Sequence, residues 1–150
     1  MVTVHPYIAF ADTKAALAYY EEVFGAKNVV RVPVGAEQAG QFGVDPEKAA
    51  DMTMHAQFDV LGATIYGADN FIHASLTYDS FTIHLNLDSE DAVAVAEADA
   101  FFEKVAASGK AEVTMPYADQ FWGGKMGAFR DQFGINWAVH AEPYSTRGQY

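Results

Sequence analysis

Five histidines and no cysteine set the chemical range of this 150-residue chain. Without thiols there is no disulfide, no thiolate metal site and no cysteine nucleophile. Imidazole is left as the versatile group, able to hydrogen-bond a ligand, move a proton or hold a metal. His5 stands in the alternating run TVHPYIAF, His84 in FTIHLNLD and His55 in MTMHAQF. His73 and His140 lie outside those runs and read as surface residues. No Ser-His-Asp order and no P-loop is visible, and no Gly-rich turn suited to a nucleoside cofactor follows a strand.

These histidines sit on recognisable elements. From Thr3 to Phe10, Val4, Ile8 and Phe10 share one parity and Thr3, His5 and Tyr7 the other, as in a half-buried strand. Asp12 predicts an N-cap for a helix in which Ala16, Leu17, Tyr20 and Phe24 recur at helical spacing, and Gly25 ends it. Asn28 to Val34 is β-branched and predicts a second strand. Gly35 to Ala50 is loop-like, with three Gly and one Pro. Met52 to Gly67 then predicts a hairpin turning at Asp59–Gly62.

The second half repeats the pattern. Phe81, Ile83, Leu85 and Leu87 alternate with Thr82, His84, Asn86 and Asp88. Ser89 predicts the cap of a helix striped by Val95, Ala98, Phe102 and Val105, ending at Ser108-Gly109. The helix acids Glu90, Asp91, Glu97, Asp99 and Glu103 predict a solvated face. A short strand, Glu112 to Met115, precedes the stretch FWGGKMGAFRDQFGINWAV, which predicts a second hairpin around Asp131–Gly134. Matching Gly62 to Gly134 superposes the hairpins without a gap. The fold class is therefore α+β: two βαβββ modules, about 1–70 and 80–142, in a single domain of 1–150, with Gly35–Ala50 as an insertion and 143–150 as a polar tail. Val4, Ile8, Leu17, Tyr20, Ile83, Leu85, Phe102, Val105, Ile135 and Trp137 are the expected core.

Bulk composition narrows the partners. Nine Lys plus Arg against twenty Asp plus Glu give a net charge of −11, so there is no basic stripe for nucleic acid and an anionic membrane surface would repel the chain. No apolar run approaches the ~20 residues of a membrane span. The start, MVTVHPYIAF, lacks a basic n-region, and a cytoplasmic location is the expectation.

The paired modules, the His-led first strand of each, Tyr19-Tyr20 before Phe24-Gly25 and the closing RDQFGINW together resemble the vicinal oxygen chelate superfamily. That superfamily holds glyoxalase I, extradiol dioxygenases and the bleomycin and fosfomycin resistance proteins. PYIAF…AYYEEVFG and MPYADQFWGGKMGAFRDQFGINW are similar to its PhnB-like branch. The resemblance covers nearly the whole chain and implies curved mixed sheets around a cleft, and a homodimer. It also implies a divalent metal in catalytic members, held by one ligand from the first and one from the last strand of each module. Those positions fall on His5 and His84, and on Tyr66 and Ala138 where glyoxalases hold carboxylates. Two imidazoles alone make a poor zinc site, since at least three protein ligands are needed. A His₃ arrangement of His5, His84 and His55 would be the remaining metal option.

Strand parity gives the expected cleft lining: His5, Tyr7, His55, Gln57, Tyr66, His84, Asn86, Phe129 and Asn136. Trp122 joins them from its glycine-flanked loop, as lid or as packing. In the hairpins this reading pairs His55 with Tyr66, Gln57 with Thr64, Gly127 with Ala138 and Phe129 with Asn136. The mix of aromatic and hydrogen-bonding groups suits a small organic ligand. Three functions follow: a small-molecule binding or sequestering protein of the resistance type, a metal-dependent lyase, isomerase or dioxygenase, or a scaffold with a vestigial cleft. The missing carboxylates favour the first.

Overall fold

The structure, a computed structural model, describes residues 1–149. The chain divides into two compact units, Met1–Thr77 and a second beginning at Tyr78. The first holds β1 (Tyr7–Phe10), α1 (Thr13–Tyr19), β2 (Lys27–Pro33), β3 (Thr53–Val60) and β4 (Ala63–Asp69). The second holds β5 (Thr82–Asp88), α2 (Ala92–Ala107), β6 (Glu112–Asp119), β7 (Lys125–Arg130) and β8 (Asn136–Glu142). Each unit is thus βαβββ, and each forms one four-stranded mixed sheet, ordered β1-β4-β3-β2 and β5-β8-β7-β6. In both, the first strand runs parallel to the last while the other pairs are antiparallel. This is the α+β, two-module architecture the sequence predicts. No helix among the described residues is long and apolar enough to cross a membrane.

The helices cap as short polar side chains allow. Asp12 accepts a hydrogen bond from the Ala15 amide at the start of α1. The helix closes in a π-helical turn, Tyr20–Phe24, with Gly25 left-handed at φ 64°. For α2 the cap is Asp91, not Ser89: its carboxylate accepts from the Val93 and Ala94 amides, and an ionised acceptor also complements the helix dipole.

Under α1, Tyr20 stacks on Phe58 with ring centroids 4.8 Å apart, and Phe10 lies 6.0 Å away. A Cβ at Gly67 would stand 2.8 Å from the Phe10 ring, so the aromatic core of this unit needs glycine there. In the second unit Phe101, Phe102 and Phe129 cluster beneath α2 with Trp137. Nine of the ten expected core residues are buried. The exception is Val4, 91% exposed. β1 begins only at Tyr7, because Pro6 has no N–H to continue the ladder.

The hairpins differ from expectation in an instructive way. The first turns on two residues, Leu61 and Gly62, so Gln57 pairs with Tyr66 and Asp59 with Thr64. That is a slip of two from the expected register and leaves every side chain on its expected face. The second hairpin needs five residues, 131–135, so Phe129 pairs with Trp137 and Ala128 with Ala138. That slip of one turns β7 over. The turn is tied by Asp131, whose Oδ1 accepts from the Phe133 and Ile135 amides while Oδ2 accepts from Trp137 Nε1.

The Gly35–Ala50 insertion is a small folded body. Val34, Ala39 and Ala49 are buried together, with Phe42, Val44, Met52 and Phe71 against them. The start of the polar tail is docked: Tyr144 donates its hydroxyl to the Asn86 carbonyl, and Ser145 binds the Glu90 carboxylate through both its amide and its hydroxyl.

Candidate functional site

In the first unit, β1, β4 and β3 lie side by side, and alternation sends Ile8, Phe10, Ile65, Ala56 and Phe58 under the helix. The opposite face therefore carries His5, Tyr7, Tyr66, His55 and Gln57. The His5 ring stacks on Tyr66 at 4.6 Å, and His55 meets Tyr66 edge-on at 5.2 Å. The Tyr7 hydroxyl and His55 Nδ1 share a hydrogen bond of 3.0 Å. His5 Nδ1 lies 3.0 Å from the Thr64 carbonyl, which can only accept, so it carries the proton; Nε2 then accepts from the Thr3 hydroxyl. Four of the predicted residues are thus one contiguous aromatic and imidazole surface.

Beside it, at the end of β1 and β4, lies a pocket of about 450 Å³. Tyr7, Ala9 and Ala68 form its floor, Gln41 and Phe42 enter from the insertion, and Phe71, Ile72 and His73 from the segment after β4. Met54 and Asp69 complete the lining, while the Asp69 carboxylate itself is buried on the face under α1, where Asp69 pairs with Phe10. Phe42 and Phe71 contact each other at 4.8 Å. Asp69 is held rigidly, accepting from the Thr13 amide through Oδ1 and from the Thr53 amide through Oδ2. Only Tyr7 of these residues belongs to the predicted lining. Ala9, Met54, Ala68 and Asp69 sit on β1, β3 and β4; Gln41, Phe42, Phe71, Ile72 and His73 lie outside the strands, and their one sequence signal is the lone aromatics Phe42 and Phe71 in otherwise polar stretches.

In the second unit the face away from α2 carries His84, Asn86 and His140. His140 is the residue sequence reasoning missed, although it shares parity with Asn136 and Ala138 on β8. Trp122, 41% exposed, donates Nε1–H to His140 Nε2. His140 Nδ1–H then donates to Asn86 Oδ1, and Asn86 Nδ2 donates to Glu142 Oε1, which also meets Arg147 at 3.2 Å. His84 lies edge-on to His140 at 5.6 Å. Burial holds the His140 imidazole below its ordinary 6.5, opposed by the Glu142 charge and reinforced by His84. A neutral ring is what the chain of bonds requires, since Nε2 must accept. Two predicted residues stand elsewhere. Phe129 is fully buried under α2 beside Phe101, Phe102 and Trp137, the consequence of the one-residue slip. Asn136 sits at the sheet end, accepting from Arg130 Nε and donating to the Phe81 carbonyl.

A family model of the Glyoxalase/Bleomycin resistance protein/Dioxygenase superfamily matches residues 3–139, and the chain belongs to that superfamily. Among solved structures, protein PA1353 from Pseudomonas aeruginosa is similar at a TM-score of 0.62 and 29% identity, covering 95% of this chain and 99% of that one. A PhnB protein from Bacillus cereus is similar at 0.60 and 17% identity, covering 94% and 100%. The fosfomycin resistance protein FosX from Listeria monocytogenes, in complex with Mn(II) and sulfate, is similar at 0.57 and 17% identity, covering 98% of each chain. No curated protein matches the sequence.

A manganese ion such as FosX holds finds no matching donor set among the described residues. Among the described residues no three His, Asp or Glu side chains come together as a metal-binding group. Both ring nitrogens of His5 are already hydrogen-bonded, and Tyr66 and Ala138 stand where a carboxylate would be expected. The residues present suit hydrogen bonding and stacking.

Proposed function

We propose that this chain is a small-molecule binding protein of its superfamily, using the pocket of the first unit with the Tyr7, His55 and Tyr66 surface as its approach. The observation that carries this is the pocket itself. Its volume of about 450 Å³ falls in the range of small-ligand sites, with apolar walls and a few fixed polar groups. The Tyr7–His55 pair is positioned by its own hydrogen bond, so little side-chain ordering is left there for binding to cost. The resistance-type reading, sequestration of an organic compound, follows from the same features with the donor set that does not fit a metal. The homodimer belongs to this proposal too, supported by the exposed Val2, Val4 and Phe121. The test uses Ala9→Trp, which fills the pocket from its floor. Ligands extracted from natively purified wild-type protein and from the variant are compared by mass spectrometry. A compound present with wild type and missing from the variant is the expected result. Equal recovery from both, with the variant folded, would refute the assignment of the site.

A further inference from the structure

We infer that this pocket selects uncharged aromatic molecules, flat frames that carry one hydroxyl or similar hydrogen-bonding group. The inference rests on the reading of the pocket as a ligand site and adds the chemical class. Its walls are rings and apolar side chains: Tyr7, Phe42 and Phe71, with Met54, Ala9 and Ala68. Ala9 and Ala68 are paired across β1 and β4, and two methyl groups side by side leave room for a ring above them. A flat frame placed there meets the aromatic walls by offset stacking or edge-on, the arrangements such rings favour. Met54 adds a polarisable sulfur-bearing side chain.

What selects against charge is the direction of Asp69. Among the described residues that line the pocket it is the one Asp, Glu, Lys or Arg. Asp69 pairs with Phe10, next to the Ala9–Ala68 pair, and alternation turns its carboxylate to the opposite face, under α1. There its oxygens accept from the Thr13 and Thr53 amides. An ammonium or a carboxylate entering the pocket would lose water without gaining a counter-charge, and that cost is steep in apolar surroundings. The rings attract a cation, but only weakly wherever water still reaches it. An anion also meets a chain of net charge −11. A hydroxyl loses less. At the exposed edge stand Gln41 and His73, a carboxamide and an imidazole, side-chain types that both donate and accept. The Asn70 side chain fixes His73 there, accepting from its amide and donating to its carbonyl.

Three probes of one shape separate these cases: 2-naphthylmethanol, 2-naphthylmethylammonium and 2-naphthoate, titrated calorimetrically at pH 7.5. The alcohol is expected to bind at least about tenfold tighter than either ion, because only the ions lose hydration that nothing in the pocket replaces. Met54→Lys, at a residue already 37% exposed, puts an ammonium on the wall. It should narrow the gap between naphthoate and the alcohol by at least about threefold, as an opposite charge nearby favours the ionised form. Either ion binding as tightly as the alcohol, with all binding lost in Ala9→Trp, would overturn the class and leave the site standing. Alcohol binding that survives in folded Ala9→Trp would overturn both. No binding of any probe at millimolar concentration would overturn the aromatic class, and the comparison of extracted ligands then decides the site by itself. If Ala9→Trp does not fold, Met54→Lys decides: an unchanged ratio of naphthoate to alcohol affinity would overturn the inference.

Discussion

Replacing Asp131 by Ala should be among the most damaging single changes in the second unit. Its carboxylate is buried and accepts three hydrogen bonds, at 2.9 Å from the Phe133 amide, 3.0 Å from the Ile135 amide and 2.9 Å from Trp137 Nε1. The Phe133 amide is part-buried and can turn to water. The Ile135 amide and the indole N–H of a fully buried Trp137 cannot. Each such stranded donor costs roughly 1–3 kcal/mol, so the expected loss for the two is about 2–6 kcal/mol. That is a large fraction of the roughly 5–15 kcal/mol that holds a domain together. The assay is urea unfolding, reading the midpoint at unchanged m-value. Trp137→Phe and the double variant complete a cycle whose coupling should exceed about 1 kcal/mol, because the residues bond directly. A loss under about 1 kcal/mol for Asp131→Ala would show that the turn does not depend on this carboxylate.

Phe129→Ala should cost about 3–5 kcal/mol, the usual range for emptying a core phenylalanine site; a loss under half of that in urea unfolding would return Phe129 to an open face. Leu61 sits at φ 49° in a two-residue turn, so Leu61→Asn should stabilise by roughly 0.5–1 kcal/mol, since Asn tolerates the left-handed region and Asn-Gly suits this turn. A lower thermal midpoint for Leu61→Asn would refute that. His140 is held below 6.5 in the folded chain. In the window just below that value the unfolded chain takes up the extra proton, so stability contributed by neutral His140 is present at higher pH and lost as pH falls. Urea midpoints at pH 7.5 and 5.5 should therefore drop more for wild type than for His140→Gln; the reverse order would contradict the Trp122–His140–Asn86 chain of bonds.

How far the fold was legible depended on the cleanness of the local pattern. The alternation of Phe81 to Asp88 leaves no choice of face, and Ile83 and Leu85 are buried as expected. In KMGAFR the period is blurred by Gly127, and the face of β7 rested on guessing the turn. An error of two residues at Leu61-Gly62 was harmless, while an error of one at 131–135 sent Phe129 into the core, because strand side chains repeat every two residues. The stretch RDQFGINW was legible as a signature, but its reason, the Asp131–Trp137 bond, is tertiary. The pocket was the least legible part. Phe42, Phe71 and Asp69 reach it from loops and a strand end, and no spacing rule connects residues that meet only through the folded insertion.

The most direct measurement is amide chemical-shift mapping of the folded protein titrated with 2-naphthylmethanol, a neutral aromatic probe of a size suited to the pocket. The amides of Ala9, Phe42, Ala68 and Phe71 should shift together, saturably and with one affinity, while those around Val113 and Tyr117 in the second unit stay still. Saturable shifts confined to the second unit, with Ala9 and Phe42 unmoved, would contradict the assignment of the binding site.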